Sequence, residues 1–219
     1  MAQATHATAA SAPISVNRKL VLSVFGIVPL GVYVVLHLWT NLSALGGAAQ
    51  FDAALVATRS HPAFLFLEIF GLGLPLLAHV VIGLREIARS RPNNGRYLYF
   101  GNLEYILQRV SAIGLLLFIG AHVWRARVLP AMDNPVGHET WQGMHEALSE
   151  PLTFAVYVLG LLGVSYHLAN GVRTAAIRLG LVVSAAAQRR MQFVCVGLLI
   201  LLLLMSGAAL WGFKPFQTI

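Results

Sequence analysis

Charge is what this 219-residue chain has least of: 11% of its residues are Asp, Glu, Lys or Arg, less than half of the roughly 25% usual in a soluble domain. With 58% hydrophobic residues and a mean hydropathy of +0.73, it holds more apolar surface than a fold of this size can hide from water. A soluble enzyme, a disordered chain and a coiled coil are excluded. Cysteine is nearly absent. The single Cys195 excludes a disulfide framework, an iron–sulfur cluster and a thiolate zinc site within the chain, each of which needs several sulfurs. Acidic residues are scarce too, eight against fifteen Lys and Arg, for a net charge of +7. A pI near 10.2 suits nucleic acid, but the arginines flank apolar runs and form no basic, aromatic-studded face.

What is present is a series of long apolar runs. Residues 1–17 are small and polar and read as a flexible N-terminal tail; residues 18–219 read as one transmembrane domain. Residues 20–42 carry no charge and are long enough, at about 1.5 Å per residue, to cross roughly 30 Å of hydrocarbon. Similar runs predict helices at about 62–88, 151–178 and 190–213. A weaker one at about 104–127 has Arg109 snorkelling from its first turns. The fold class is thus all-α, five transmembrane helices in a bundle, and the links between them are too short for a second domain. With the N-terminus inside, the inner segments hold 11 Lys and Arg; Arg59, Arg125, Arg127 and Lys214 lie outside. This bias predicts a multi-pass protein with its N-terminus in the cytoplasm and its C-terminus outside.

Four of the eight histidines fall inside predicted spans, one on each of the first four: His37, His79, His122 and His167, spaced by 42, 43 and 45 residues. An ionisable group at membrane depth marks a functional site by default. Successive spans run in opposite directions, so the depths alternate. His37 and His122 lie about 17 and 18 residues from the inner ends of their helices, in the outer half. His79 is about 5 residues from its inner end and His167 about 16 below its outer start, in the inner half. Two pairs at two levels, very roughly 15 Å apart, are the ligand set for two b-type haems enclosed by the bundle, each with both axial positions filled. Zinc or copper would gather three or four ligands at one level. Gly31, Gly83, Gly114, Gly160 and Gly163 offer small faces where a flat macrocycle fits, and Pro75 predicts a kink before His79.

Several local strings then converge. Leu67-Glu68-Ile69-Phe70 precedes Leu74-Pro75-Leu76 and His79. Tyr97-Leu98-Tyr99-Phe100 leads into Leu107-Gln108-Arg109-Val110-Ser111; His122-Val123-Trp124 and His167-Leu168-Ala169-Asn170-Gly171 follow. In that order and with that histidine spacing, the chain resembles the dihaem cytochrome b subunit of succinate dehydrogenase and fumarate reductase over all five spans. The resemblance implies a distal haem on His37 and His122, a proximal haem on His79 and His167, and a quinone, commonly menaquinone in the two-haem form. It also implies a flavoprotein and an iron–sulfur protein docked on the cytoplasmic face of a bacterial inner membrane. Succinate or fumarate chemistry belongs to those partners.

Haem propionates need cationic or hydroxyl partners. Ser23, Arg109, Ser111 and Arg178 are the inner-level candidates, and Arg125 and Arg127 stand at the outer level with Trp124 as an interface anchor. Glu68 is the single charge in the apolar stretch 62–84 of the second predicted span and sits near the outer pair. It is the candidate proton carrier of a distal quinone pocket, with Trp39, Asn41 and His61 as neighbours, while a hydrogen-bonding role toward the first helix stays equally open. Some fumarate reductases of the family carry a proton-conducting glutamate two residues before the fourth-helix histidine; here that position is Ser165. His138 and His145 lie in an acidic outer loop and read as solvated surface. Two other classes stay open, a cytochrome b anchor of another quinone-linked dehydrogenase and a haem-free transporter or structural subunit.

Overall fold

The computed structural model describes residues 14–89, 99–133 and 139–214, and within them every regular element is helical. His6, Arg91, Arg96, Tyr97, Leu98 and His138 lie outside the described residues, as does most of the expected tail. Five helical segments are long and apolar enough to cross a membrane: Arg18–Gly46, Phe64–Ala88, Gly101–Met132, Pro151–Arg178 and Ala185–Gly212.

Prolines shape the first three spans. The first consists of α1 (Ile14–Ile27) and α2 (Pro29–Asn41), broken at Val28 because Pro29 has no N–H to continue the ladder. A short turn at Leu42–Gly46 follows and ends at Gly47, whose φ of +84° suits glycine. The second span runs through α4 (Phe64–Phe66), a π-helical stretch at Leu67–Gly73 and α5 (Leu74–Ala88). Where the sequence predicts a simple kink at Pro75, the turn before the proline widens instead, sparing a carbonyl the clash with the ring. The third span repeats this: α6 (Phe100–Val123), a π-helical stretch at Trp124–Val128, then α7 (Leu129–Asp133), which contains Pro130.

Two of the links between spans carry helices of their own. The Gly/Ala-rich link forms α3 (Ala48–Arg59), and the polar link forms α8 (Trp141–Ser149). Trp141, Met144, His145 and Leu148 are the buried residues of α8, at i, i+3, i+4 and i+7, one apolar face. They pack with Ala44, Phe51, Tyr157 and Phe213 into a cap over the end of the bundle away from residue 18, the far end. The carbonyl of Gly212 accepts from Trp141 Nε1 at 3.1 Å, and Asp52 Oδ1 accepts from Trp141 N at 2.8 Å.

The fourth span, α9 (Pro151–Arg178), lies against α6, α1 and the fifth span, α10 (Ala185–Gly212), while α1 also packs on α5. Glu150 caps α9, accepting from the N–H groups of Leu152 and Thr153 at 3.0 and 2.6 Å. Those bonds hold its carboxyl below the ordinary range. Gly180, at φ +72°, ends the helix in a Schellman turn closed by Leu181 N donating to Ala176 O at 2.9 Å. Leu117, Leu159, Phe193 and Leu204 are each more than 60% exposed on the outside, the surface expected of a protein solvated by lipid.

Candidate functional site: two pairs of imidazoles

The far pair comes from α2 and α6. The rings of His37 and His122 stand 5.8 Å apart between centroids, at 75° to one another. Each is backed by an aromatic ring one helical turn earlier, Tyr33 stacked on His37 at 5.4 Å and Phe118 on His122 at 5.7 Å, as i,i+4 spacing dictates. His122 Nδ1 lies 3.2 Å from the hydroxyl of Tyr157. Asn41, one turn after His37, donates from Nδ2 to the His37 carbonyl at 2.7 Å and lies 3.4 Å from the ring Nε2.

The near pair comes from α5 and α9. His79 and His167 are 6.2 Å apart at 84°. His79 donates from Nδ1 to the carbonyl of Leu22 at 3.1 Å, and its ring lies flush on the backbone of α1, where a Cβ on Gly26 would sit 2.7 Å from its Cε1. His167 Nδ1 is 3.2 Å from Ser111 Oγ, whose own hydrogen goes to the Gln108 carbonyl at 3.1 Å. Gln108 Nε2, 3.2 Å from both Nδ1 and the carbonyl of His167, donates to the carbonyl, while its Oε1 accepts from Asn170 at 2.8 Å.

These distances test the fit of a bis-histidine group. Metal–imidazole bonds of about 2 Å on both sides place the two ring centroids about 6 Å apart, which is what each pair shows. In three of the four rings Nδ1 is turned to a protein oxygen, which leaves Nε2 as the nitrogen available to a ligand. Among the described residues there is no group of three or more His, Cys, Asp or Glu, so the arrangement suits two axial ligands per group and not a tetrahedral ion.

The glycines behave differently from one another. Gly114 faces open space, but Gly31 is packed against Leu168 and Gly160 against the Phe118 ring, so those two serve helix contact and not a macrocycle. Of the propionate candidates, Ser23 and Arg178 meet: Arg178 Nη1 donates to Ser23 Oγ at 2.8 Å across 155 residues of sequence. Arg109 folds over its own helix, donating to Tyr105 O at 2.8 Å with its guanidinium 3.3 Å from the Tyr105 ring, and leaves a buried Nε without a hydrogen-bond partner. Ser111 sits on His167 instead.

Glu68 has a partner the sequence did not suggest. Arg127 on the third span, and not a group of the first helix, grips its carboxylate fork to fork at 3.2 and 3.4 Å. Each residue of this pair sits on one of the two π-helical stretches, a geometry that recurs at functional sites. Arg59 is in the same field; burial and the Arg127 guanidinium pull it below the usual arginine range, while Glu68 and Tyr33 act the other way. Trp39 is 70% exposed, and His61 accepts from Ala63 N at 3.2 Å. Arg125 is taken up by the cap, pairing with Glu139 at 3.4 Å and donating to Gly143 O at 2.7 Å. His145, expected on the solvated surface, is instead buried, stacked on Trp141 and 2.9 Å from Phe213 O, because α8 turns it inward. Sequence reasoning gave no role to Tyr157, Gln108, Asn170 or the 2.7 Å Arg173–Glu104 bridge. Their signal was present: a polar side chain in an apolar span needs a partner.

Residues 88–206 match the family described as succinate dehydrogenase/fumarate reductase transmembrane subunit. Over 191 residues, 87% of this chain and 93% of the relative, the chain is 32% identical to the succinate dehydrogenase cytochrome b558 subunit of Bacillus subtilis (strain 168). With five candidate spans and two facing histidine pairs already in place, that coverage is decisive: the chain belongs to the succinate dehydrogenase/fumarate reductase transmembrane subunit family and is the membrane part of that enzyme complex.

Proposed function

We propose that this subunit is a dihaem cytochrome b, its single five-helix domain (residues 18–219) holding haem b on His37 with His122 and a second haem b on His79 with His167. The observation that carries the reading is the separation of the two imidazole pairs, 5.8 and 6.2 Å. The relative's designation as a cytochrome b558 subunit supports it. Haem held there would supply one-electron transfer. The chain's own residues orient the ligands: Leu22 O fixes the ring of His79, Ser111 and Gln108 that of His167, and Tyr157 that of His122. Ser23, Arg178 and Arg109 form the cationic and hydroxyl group for the near propionates, with the unpartnered Nε of Arg109 one vacant donor.

Lys and Arg counts favour the near end as the cytoplasmic side of a bacterial inner membrane, with the C-terminus outside. There the flavoprotein and iron–sulfur subunits dock and perform the succinate or fumarate chemistry. At the far end, Glu68 exchanges the proton that accompanies reduction or oxidation of a quinone, menaquinone in this reading; its side chain is 29% exposed beside the 40% exposed Arg127. The purified protein is expected to show reduced-minus-oxidised cytochrome b bands and about two haems per chain by pyridine haemochrome; a colourless or single-haem preparation overturns the reading. Glu68→Gln is expected to lower quinone turnover by about 10²-fold or more with both haem spectra intact. Unchanged turnover removes the residue from the mechanism.

A further inference from the structure

Tyr157 joins the far imidazole pair to the cap. It is 8% exposed on the fourth span, with its ring edge-on to both Phe118 and His122. A buried phenol needs a hydrogen-bond partner, and here the hydroxyl stands 3.2 Å from His122 Nδ1. With Nε2 of His122 committed to a ligand role, Nδ1 carries the hydrogen and donates it to the phenol oxygen. The rest of the Tyr157 side chain belongs to the cap, in the cluster with Trp141 and Leu148. The same cap is closed by the buried carboxylate of Glu139, which pairs with Arg125 at 3.4 Å where α8 begins, Arg125 also donating to Gly143 O at 2.7 Å. The near pair is wired differently, with the Nδ1 atoms of His79 and His167 on a helix carbonyl and on the Ser111 hydroxyl.

We infer that Tyr157 is a positioning residue: its hydroxyl fixes the ring of His122 and makes the potential of the far redox centre, and of that centre alone, depend on the Arg125–Glu139 pair of the cap. The inference rests on the two-haem reading. A hydrogen bond from Nδ1 to oxygen makes an imidazole a stronger electron donor, and a carboxylate beyond that oxygen adds to the effect, so both favour oxidised iron and lower the potential. Tyr157→Phe keeps the ring and its packing and removes the acceptor.

The test is a redox titration of the full complex followed in the haem absorption bands, with the far component assigned by its absence in His37→Ala. Tyr157→Phe is expected to retain two haems, to move the far midpoint upward and to leave the near one in place. Glu139→Gln is expected to move the same component the same way by less. Two haems with both midpoints unmoved, or both moving together, overturn the inference. Should Tyr157→Phe lose haem altogether, Glu139→Gln decides on the same criteria, since it leaves the hydroxyl in place. Fewer than two haems in the unsubstituted complex would sink the underlying reading instead.

Discussion

Replacing His79 by alanine is expected to halve the haem content, from about two per chain to about one, while the far centre keeps its spectrum. The selectivity follows from the packing. His79 is supplied by α5 and held against α1 by Leu22 O and the bare backbone at Gly26, while its partner His167 is held by Ser111 and Gln108 from α6. None of these groups touches His37 or His122, so removing the near imidazole takes away one of the two proposed ligands of that pair and leaves the other pair's surroundings unchanged. Alanine also leaves a dry space about the size of an imidazole, which offers no substitute donor. His37→Ala is expected to remove the other component, and the two changes together to give a colourless protein. His61→Ala, at an exposed turn, is the control and should keep both haems. Loss of both from His79→Ala alone would show that the two pairs are not independent.

Gly160→Ala is the second large effect, and it reaches the far centre without touching a histidine. A methyl group at that position would overlap the ring of Phe118, so either the ring or the contact between α6 and α9 must give way. Overpacking of this kind costs typically about 1–3 kcal/mol, a sizeable part of the roughly 5–15 kcal/mol that keeps a domain folded. Phe118 is also the ring stacked on His122 and set against Tyr157, so its displacement tilts that imidazole. The expected outcome is a lower melting temperature with selective loss or broadening of the far haem band. Gly197→Ala is the contrast: it lies exposed on α10, a methyl there meets nothing within 4 Å, and both haem spectra should be retained. Equal behaviour of the two variants would remove the steric account.

Much of this architecture can be read along the chain because lipid leaves so few solutions. A run of about 20 apolar residues in hydrocarbon must satisfy its backbone internally, hence a helix. The five spans therefore follow from composition, and their edges shift by only a few residues, as at Gly101–Met132, where the pairing of Arg127 with Glu68 lets the helix run on past Arg127. Depth along each axis is legible for the same reason, which is why residue counting brings His37 to the level of His122 and His79 to that of His167.

Rotation about the axis is not legible. A span that is apolar on every side has no stripe to say which face turns inward, so counting could not find Arg127 as the partner of Glu68, Tyr157 beneath His122, or the Ser111–Gln108–Asn170 network around His167. The cap was hidden for a related reason, since α8 buries its face only because α3 and the end of α10 are there to receive it. Sequence alone determined how many times the chain crosses and at what height each imidazole lies, because hydrocarbon enforces helices of fixed rise. Tertiary structure decided which side chains those imidazoles meet, because close packing between helices sets the rotation of each one.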